Sequence, residues 1–241
     1  MKNQLLKLFT VALMVVGAAN FVFGQAVTDQ TRNVSGFTTI ASSGSFHVHV
    51  KLDGTESLKI SGDNDVINDI ETIVEDGTLK IRYKDDHKWN WNGDNHRNNK
   101  VEVYVSAKTL SSLINGGSGS IQVENIINAP KFKAVLSGSG SITSIIKTAN
   151  LDVVISGSGS IHLTGDADDA SVSVSGSGSV DAKDLKTQSA SVSVSGSGNV
   201  HINAEKQLSS VISGSGSVKY TGNASVSSVK HGSGSVYKAD R

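Results

Sequence analysis

From residue 117 onward the chain alternates valine or isoleucine with serine, and Gly-Ser-Gly-Ser punctuates the alternation at regular intervals. In Ala170 to Ser175 and again in Ala190 to Ser195, valine takes every second place. That is the period-two pattern of a strand with one buried and one wet face. The tetrapeptide begins at Gly117, Gly138, Gly157, Gly176, Gly214 and Gly232, and Gly196 opens a variant ending in Asn199. The spacings are 21, 19, 19, 20, 18 and 18 residues. A β-rich repeat of about 20 residues predicts one solenoid coil per repeat.

Stacked coils place equivalent residues in columns, and the columns hold one chemical character. The residue after each motif is Ile121, Ile142, Ile161, Val180, Val200, Val218 or Val236, always apolar and β-branched. Two residues before the first glycine stand Leu136, Ile155, Val174, Val194, Ile212 and finally Lys230. Both columns are expected to face inward, with Lys230 and Lys238 as a polar cap on the last coil. The glycines fit corners that need positive φ or close approach of a neighbouring coil. With strands about 4.8 Å apart, seven coils make a rod roughly 30 Å tall.

The expected fold is therefore all-β, a parallel β-helix or β-solenoid with an irregular N-terminal β region over residues 25–112 and regular coils over 113–241. In the irregular part, Phe37 to Ile40, Phe46 to Leu52, Glu56 to Ser61, Thr78 to Tyr83 and Lys100 to Ser106 read as strands, and Asp76-Gly77 as a hairpin turn. Ser43-Gly44-Ser45-Phe46 resembles a degenerate corner, so residues 25–241 are expected to form one body.

Residues 1–24 carry Lys2 and Lys7, then an apolar run from Leu8 to Phe23, and end in Gly24. This is the pattern of a secretory signal peptide cleaved after Gly24. A membrane-anchoring helix is the other reading of the run, disfavoured because Asn20 interrupts it and it falls short of about 20 apolar residues. No further hydrophobic span follows, so no integral membrane span is expected after cleavage. The destination is the periplasm, the cell surface or the medium. The chain has no cysteine, which rules out disulfides as its means of stability there. Lysines and arginines number 22 against 22 acids, a balance that does not suit nucleic-acid binding.

The Phe37-Thr-Thr-Ile40 opening, Gly44-Ser-Phe-His-Val48, Asp76-Gly-Thr-Leu-Lys-Ile81, Val101-Glu-Val-Tyr-Val105 and the serial Gly-Ser-Gly corners together resemble the DUF2807 family of auto-transporter adhesin head GIN domain proteins, common in Bacteroidetes. The resemblance spans nearly all of the chain beyond residue 24. It implies a binding role and carries no catalytic residues.

Two positions after each motif stand Gln122, Thr143, His162, Asp181, His201, Lys219 and Tyr237, a column that alternation turns outward. His162, Asp181 and His201 are then neighbours, a set that metal binding or a proton relay would use, although an outward strand face is ordinarily just solvated. Asp166, Asp168 and Asp169 offer carboxylates of the kind glycan cleavage uses, yet they also read as one polar turn. Asp63-Asn64-Asp65 lacks the further ligands of a calcium loop, and Ser or Asn after each second corner glycine excludes a repeat-borne calcium ladder. No cofactor is implied. Residues 88–99 hold both tryptophans. There Trp89 and Trp91, with Asn92, Asp94 and His96, are the candidate ligand-binding residues, because aromatic rings beside amides can stack on a sugar and hydrogen-bond its hydroxyls.

The expected function is an exported, adhesin-like binding and structural solenoid without catalysis, its partner a surface glycan or an envelope protein. A polysaccharide-active β-helix enzyme and a self-assembling matrix component are the alternatives.

Overall fold

The computed structural model describes residues 27–84 and 100–239. The predicted signal segment over 1–24 and the tryptophan segment over 88–99 lie outside them. The described chain is a β-solenoid built on a single sheet system of 16 strands. The regular coils are long bent strands: β9 (Ser120–Leu136), β10 (Ser141–Gly157), β11 (Ser160–Gly176), β12 (Ser179–Gly196) and β13 (Asn199–Gly214). A last, shorter coil consists of β14 (Ser217–Thr221), β15 (Ser225–His231) and β16 (Ser235–Lys238). Each coil pairs in parallel with the one before, residue over counterpart except where the register shifts after Thr143, His162, Ala182 and Thr187.

The columns expected from the repeat are the observed registers. Ile121, Ile142, Ile161, Val180, Val200 and Val218 are paired in succession and buried, as are Leu136, Ile155, Val174, Val194 and Ile212. Lys230 ends the second column, paired with Ile212.

The two glycines of a corner are required for different reasons. Gly176 has φ of 113°, and a Cβ there would lie 2.6 Å from the Gly157 carbonyl oxygen. Gly178 has no such backbone, but its Cβ would meet Ile155 Cγ2 at 2.6 Å and the Gly159 carbonyl oxygen at 2.9 Å. Between them Ser177 donates its backbone N–H to Gly157 at 3.1 Å. Stacking at strand spacing therefore leaves no room for side chains at alternate corner positions, and serine is what remains between them.

Before the regular coils the chain builds β1 (Val27–Arg32), β2 (Thr39–Ser43), β3 (His47–Leu52), β4 (Ser57–Asp63), α1 (Asn64–Asn68), β5 (Ile70–Glu75), β6 (Thr78–Tyr83), β7 (Glu102–Ala107) and β8 (Ser112–Asn115). The corner between β2 and β3 lies beneath the first regular corner: Gly119 donates its N–H to the Gly44 carbonyl at 3.0 Å and Ser120 to Phe46 at 2.9 Å. Asn115 is buried at this corner. Its Nδ2 donates to the Gly119 carbonyl at 2.8 Å, and its Oδ1 accepts from the Gly117 N–H at 3.2 Å.

The parallel order ends at β7 and β6. Beyond them β4 runs antiparallel to β7, β1 antiparallel to β4, and β5 antiparallel to β6. The β5–β6 turn is Asp76-Gly77, both at positive φ, 49° and 70°, as a two-residue primed hairpin turn demands. The short helix α1 closes the end of the core with Ile67 buried. Phe37, Phe46 and Phe132 are the largest buried side chains.

Candidate functional site

One long face of the solenoid runs β1-β4-β7-β3-β9-β10-β11-β12-β13-β14-β16. Strand pairing carries a single outward row across all of it: Thr31, Lys59, Tyr104, His49, Gln122, Thr143, His162, Asp181, His201, Lys219 and Tyr237. The sequence repeat predicts its last seven members. The first four join from strands whose partners are distant along the chain.

At the irregular end this row is tied together. The rings of His49 and Tyr104 stack at 5.1 Å between centroids, 18° from parallel. Lys59 Nζ lies 4.9 Å from the Tyr104 ring centre, within cation–π range. His49 Nε2 lies 2.7 Å from Glu102 Oε2, and His47 Nδ1 lies 2.9 Å from Ser120 Oγ. Tyr104 remains 43% exposed, so its rim and hydroxyl face solvent. Sequence reading missed this cluster because β3 and β7 are about 50 residues apart. The only signal was one aromatic and three ionisable residues at alternate places of two separate strands.

At the regular end His162, Asp181 and His201 are stacked neighbours. His162 Nδ1 is 3.4 Å from Asp181 Oδ2. A bulge in β12 after Ala182 inserts Lys183 and Asp184 beside them, and these two form an ion pair. The hydrogen bond from Lys183 holds the exposed Asp184 carboxyl below the usual carboxylate range. The His201 imidazole is held below its usual pKa, first by partial burial and then by the Lys219 cation. Among the described residues no three histidine or carboxylate side chains are grouped so that they could hold a metal ion.

The opposite face carries a shallow groove of about 360 Å³ that crosses several coils. Asn150, Asp169 and Gln207 line one side, and Asp152, Ser171 and Ser209 the other. Lys131 Nζ spans it to Asp152 Oδ2 at 3.1 Å. Asp169 thus joins the groove wall, whereas Asp166 lies level with Lys147 and Lys186 on the neighbouring coils. Asp63 is the N-cap of α1 and accepts from the Asp65 N–H at 3.3 Å, a helix-capping role.

Trp89, Trp91, Asn92, Asp94 and His96 lie outside the described residues. Lys84, the last described residue before them, donates its N–H to the Asp69 carbonyl at 2.9 Å.

A family model described as "Putative auto-transporter adhesin, head GIN domain", DUF2807, matches residues 36–224. A solved "putative adhesin" from Bacteroides fragilis is 22% identical, with a TM-score of 0.80, and the match covers 90% of this chain and 98% of that one. A "putative lipid binding protein" from Parabacteroides distasonis is 26% identical, with a TM-score of 0.71 and coverage of 89% and 97%. A "putative adhesin" from Parabacteroides merdae is 19% identical, with a TM-score of 0.67 and coverage of 89% and 96%. No curated protein matches the sequence.

Proposed function

Because the chain belongs to the DUF2807 family of auto-transporter adhesin head GIN domains, we propose that it is an exported, non-catalytic binding module of the cell envelope. In this reading the solenoid displays a recognition surface to a glycan or an envelope protein. The observation that carries the reading is the unbroken outward row from Thr31 to Tyr237. It offers one polar or aromatic side chain per strand at about 4.8 Å intervals. Such a row suits repeated weak contacts with an extended partner, whereas catalysis needs one convergent constellation. The Lys2, Lys7 and Leu8-to-Phe23 pattern supports export. In the same reading Trp89 and Trp91, with Asn92, Asp94 and His96, supply stacking and hydrogen bonding to the ligand.

The test is a glycan array probed with the full chain, a Trp89→Ala/Trp91→Ala variant and a Lys59→Ala/Tyr104→Ala variant. Binding that falls about tenfold or more in the first variant, a loss of about 1.4 kcal/mol, assigns recognition to the tryptophan segment. The same loss in the second assigns it to the face. Absence of binding by the unmodified chain rejects a glycan partner. Vesicles belong in the same experiment, given the lipid-binding name of the Parabacteroides distasonis relative.

A further inference from the structure

The groove on the face away from the long outward row runs along the solenoid axis, across the strands. Strand register builds its walls. Asn150 pairs with Asp169, Asp169 with Ser189 and Ser189 with Gln207, on β10 to β13 in turn. Two residues further along each strand, Asp152, Ser171, Ser191 and Ser209 form the second wall in the same way. Between the walls the floor is Leu151, Ala170 and Ala190, none more than 4% exposed. At the β9 end the Lys131–Asp152 ion pair crosses the groove at 3.1 Å. The open stretch therefore covers four strand layers, about 14 Å.

The polar groups of the open stretch are uncommitted. Asn150, Asp169 and Gln207 are exposed, and their side chains make no hydrogen bond or ion pair among the described residues, nor do the hydroxyls of Ser171, Ser191 and Ser209. A carboxylate or carboxamide holds two polar atoms in one plane and can engage two adjacent hydroxyls of a sugar ring, and a serine hydroxyl both donates and accepts. The floor offers no pocket to an apolar side chain. Because the strands cross the groove rather than run along it, a peptide lying there gains no sheet pairing. Lys131 and Asp152 neutralise each other, which leaves Asp169 as the one uncompensated charge among the lining residues. A lone negative charge disfavours an acidic polymer.

We propose that this groove holds a linear, uncharged, β-linked polysaccharide lying along the solenoid axis, one sugar ring per coil. The coil spacing of about 4.8 Å is close to the length of one hexopyranose unit in an extended chain. Successive rings then meet the groups of both walls in step with the coils. A straight groove also selects an extended linkage over one that coils. The inference rests on the reading of the chain as a glycan-binding module and deepens it, naming the class of glycan and a surface other than the Thr31-to-Tyr237 row.

Calorimetric titration of the full chain tests it, with β-1,4-linked oligomers of glucose, mannose and N-acetylglucosamine of increasing length, and α-1,4-linked glucose oligomers beside them. The expected result is binding of at least one β-linked series, with affinity that rises about tenfold or more from one unit to about three or four and then levels. The α-linked oligomers should bind about tenfold more weakly or not at all. An Asn150→Ala/Asp169→Ala/Gln207→Ala variant, altered only at exposed side chains, should lose about tenfold or more. Ser191→Tyr, which fills the groove from the other wall, should lose as much, while Lys147→Ala/Lys186→Ala should bind as the unmodified chain does. No binding of any β-linked series overturns the proposal, as does an affinity that ignores chain length or linkage. Binding that both groove variants keep overturns it too, and leaves the glycan-binding reading in place. The glycan array separates the remaining cases: a hit there with no β-linked binding here rejects only the groove, and no hit in either rejects a glycan partner altogether. Length and linkage dependence of the unmodified chain decide the matter if a variant does not fold.

Discussion

Substituting Gly176 by alanine tests whether corner glycines are required by stacking rather than by local turn preference. The new Cβ would sit 2.6 Å from the Gly157 carbonyl oxygen, so the two coils must part by roughly 0.8 Å to restore ordinary contact. That movement breaks the Ser177 N–H bond to the same oxygen, now 3.1 Å, at about 0.5–1.5 kcal/mol. Alanine at a φ of 113° costs about 1–2 kcal/mol more, and residual overpacking about 1–3 kcal/mol. The reduced freedom of the unfolded chain returns about 0.4–1 kcal/mol. The net loss is about 1.5–6 kcal/mol, which for a chain of this size lowers Tm by about 3–24 °C.

Gly178→Ala lacks the φ penalty and should lose about 1–3 kcal/mol, while Ser177→Ala between them should stay within about 0.5 kcal/mol. Thermal melts followed by far-ultraviolet circular dichroism give the order directly. If Gly176→Ala melts with Ser177→Ala, the corner has slack and the stacking argument fails.

Two further outcomes follow from buried and titrating groups. Asn115→Ala should cost about 1–3 kcal/mol in urea titration, because it leaves the Gly117 N–H without its Asn115 partner while the Gly119 carbonyl keeps the Ser141 N–H at 3.0 Å; an unchanged midpoint would show that water replaces the amide. His201 is held below its usual pKa by partial burial and by Lys219, so the unfolded chain takes up the proton first as pH falls. Its contribution to stability is complete above the unfolded pKa and declines below it. Acidification from about pH 7.5 to 5 should therefore lower Tm less in His201→Gln than in the unmodified chain, and equal slopes would refute that assignment.

The regular coils were legible because each contributes one residue to each column, so reading down the repeat is the same as reading along the sheet. The inward columns through Ile142 and Ile155 and the outward neighbours His162, Asp181 and His201 all follow from that. Five of the expected early strands are present with shifted ends. β1, β5, β8 and α1 went unread. The residues Ile70 to Glu75 show no clean alternation, since β5 is an edge strand with only one buried position. In β13 the alternation slips: Ser210 is buried without a hydrogen-bond partner and Val211 is 42% exposed, which no period-two rule foresees. The Lys59–Tyr104–His49 cluster was hidden for a different reason. Antiparallel and crossover pairings bring its strands together, and sequence spacing does not encode them.

The shared corner also sets how such a chain can change over generations. Because every coil closes on the same Gly-x-Gly step regardless of whether it holds 18 or 21 residues, in-frame gain or loss of one coil alters reach by about 4.8 Å and leaves every surviving row in phase. Length and surface chemistry are therefore separately heritable: the first is set by how many corners are copied, the second by the one letter each coil writes into a row.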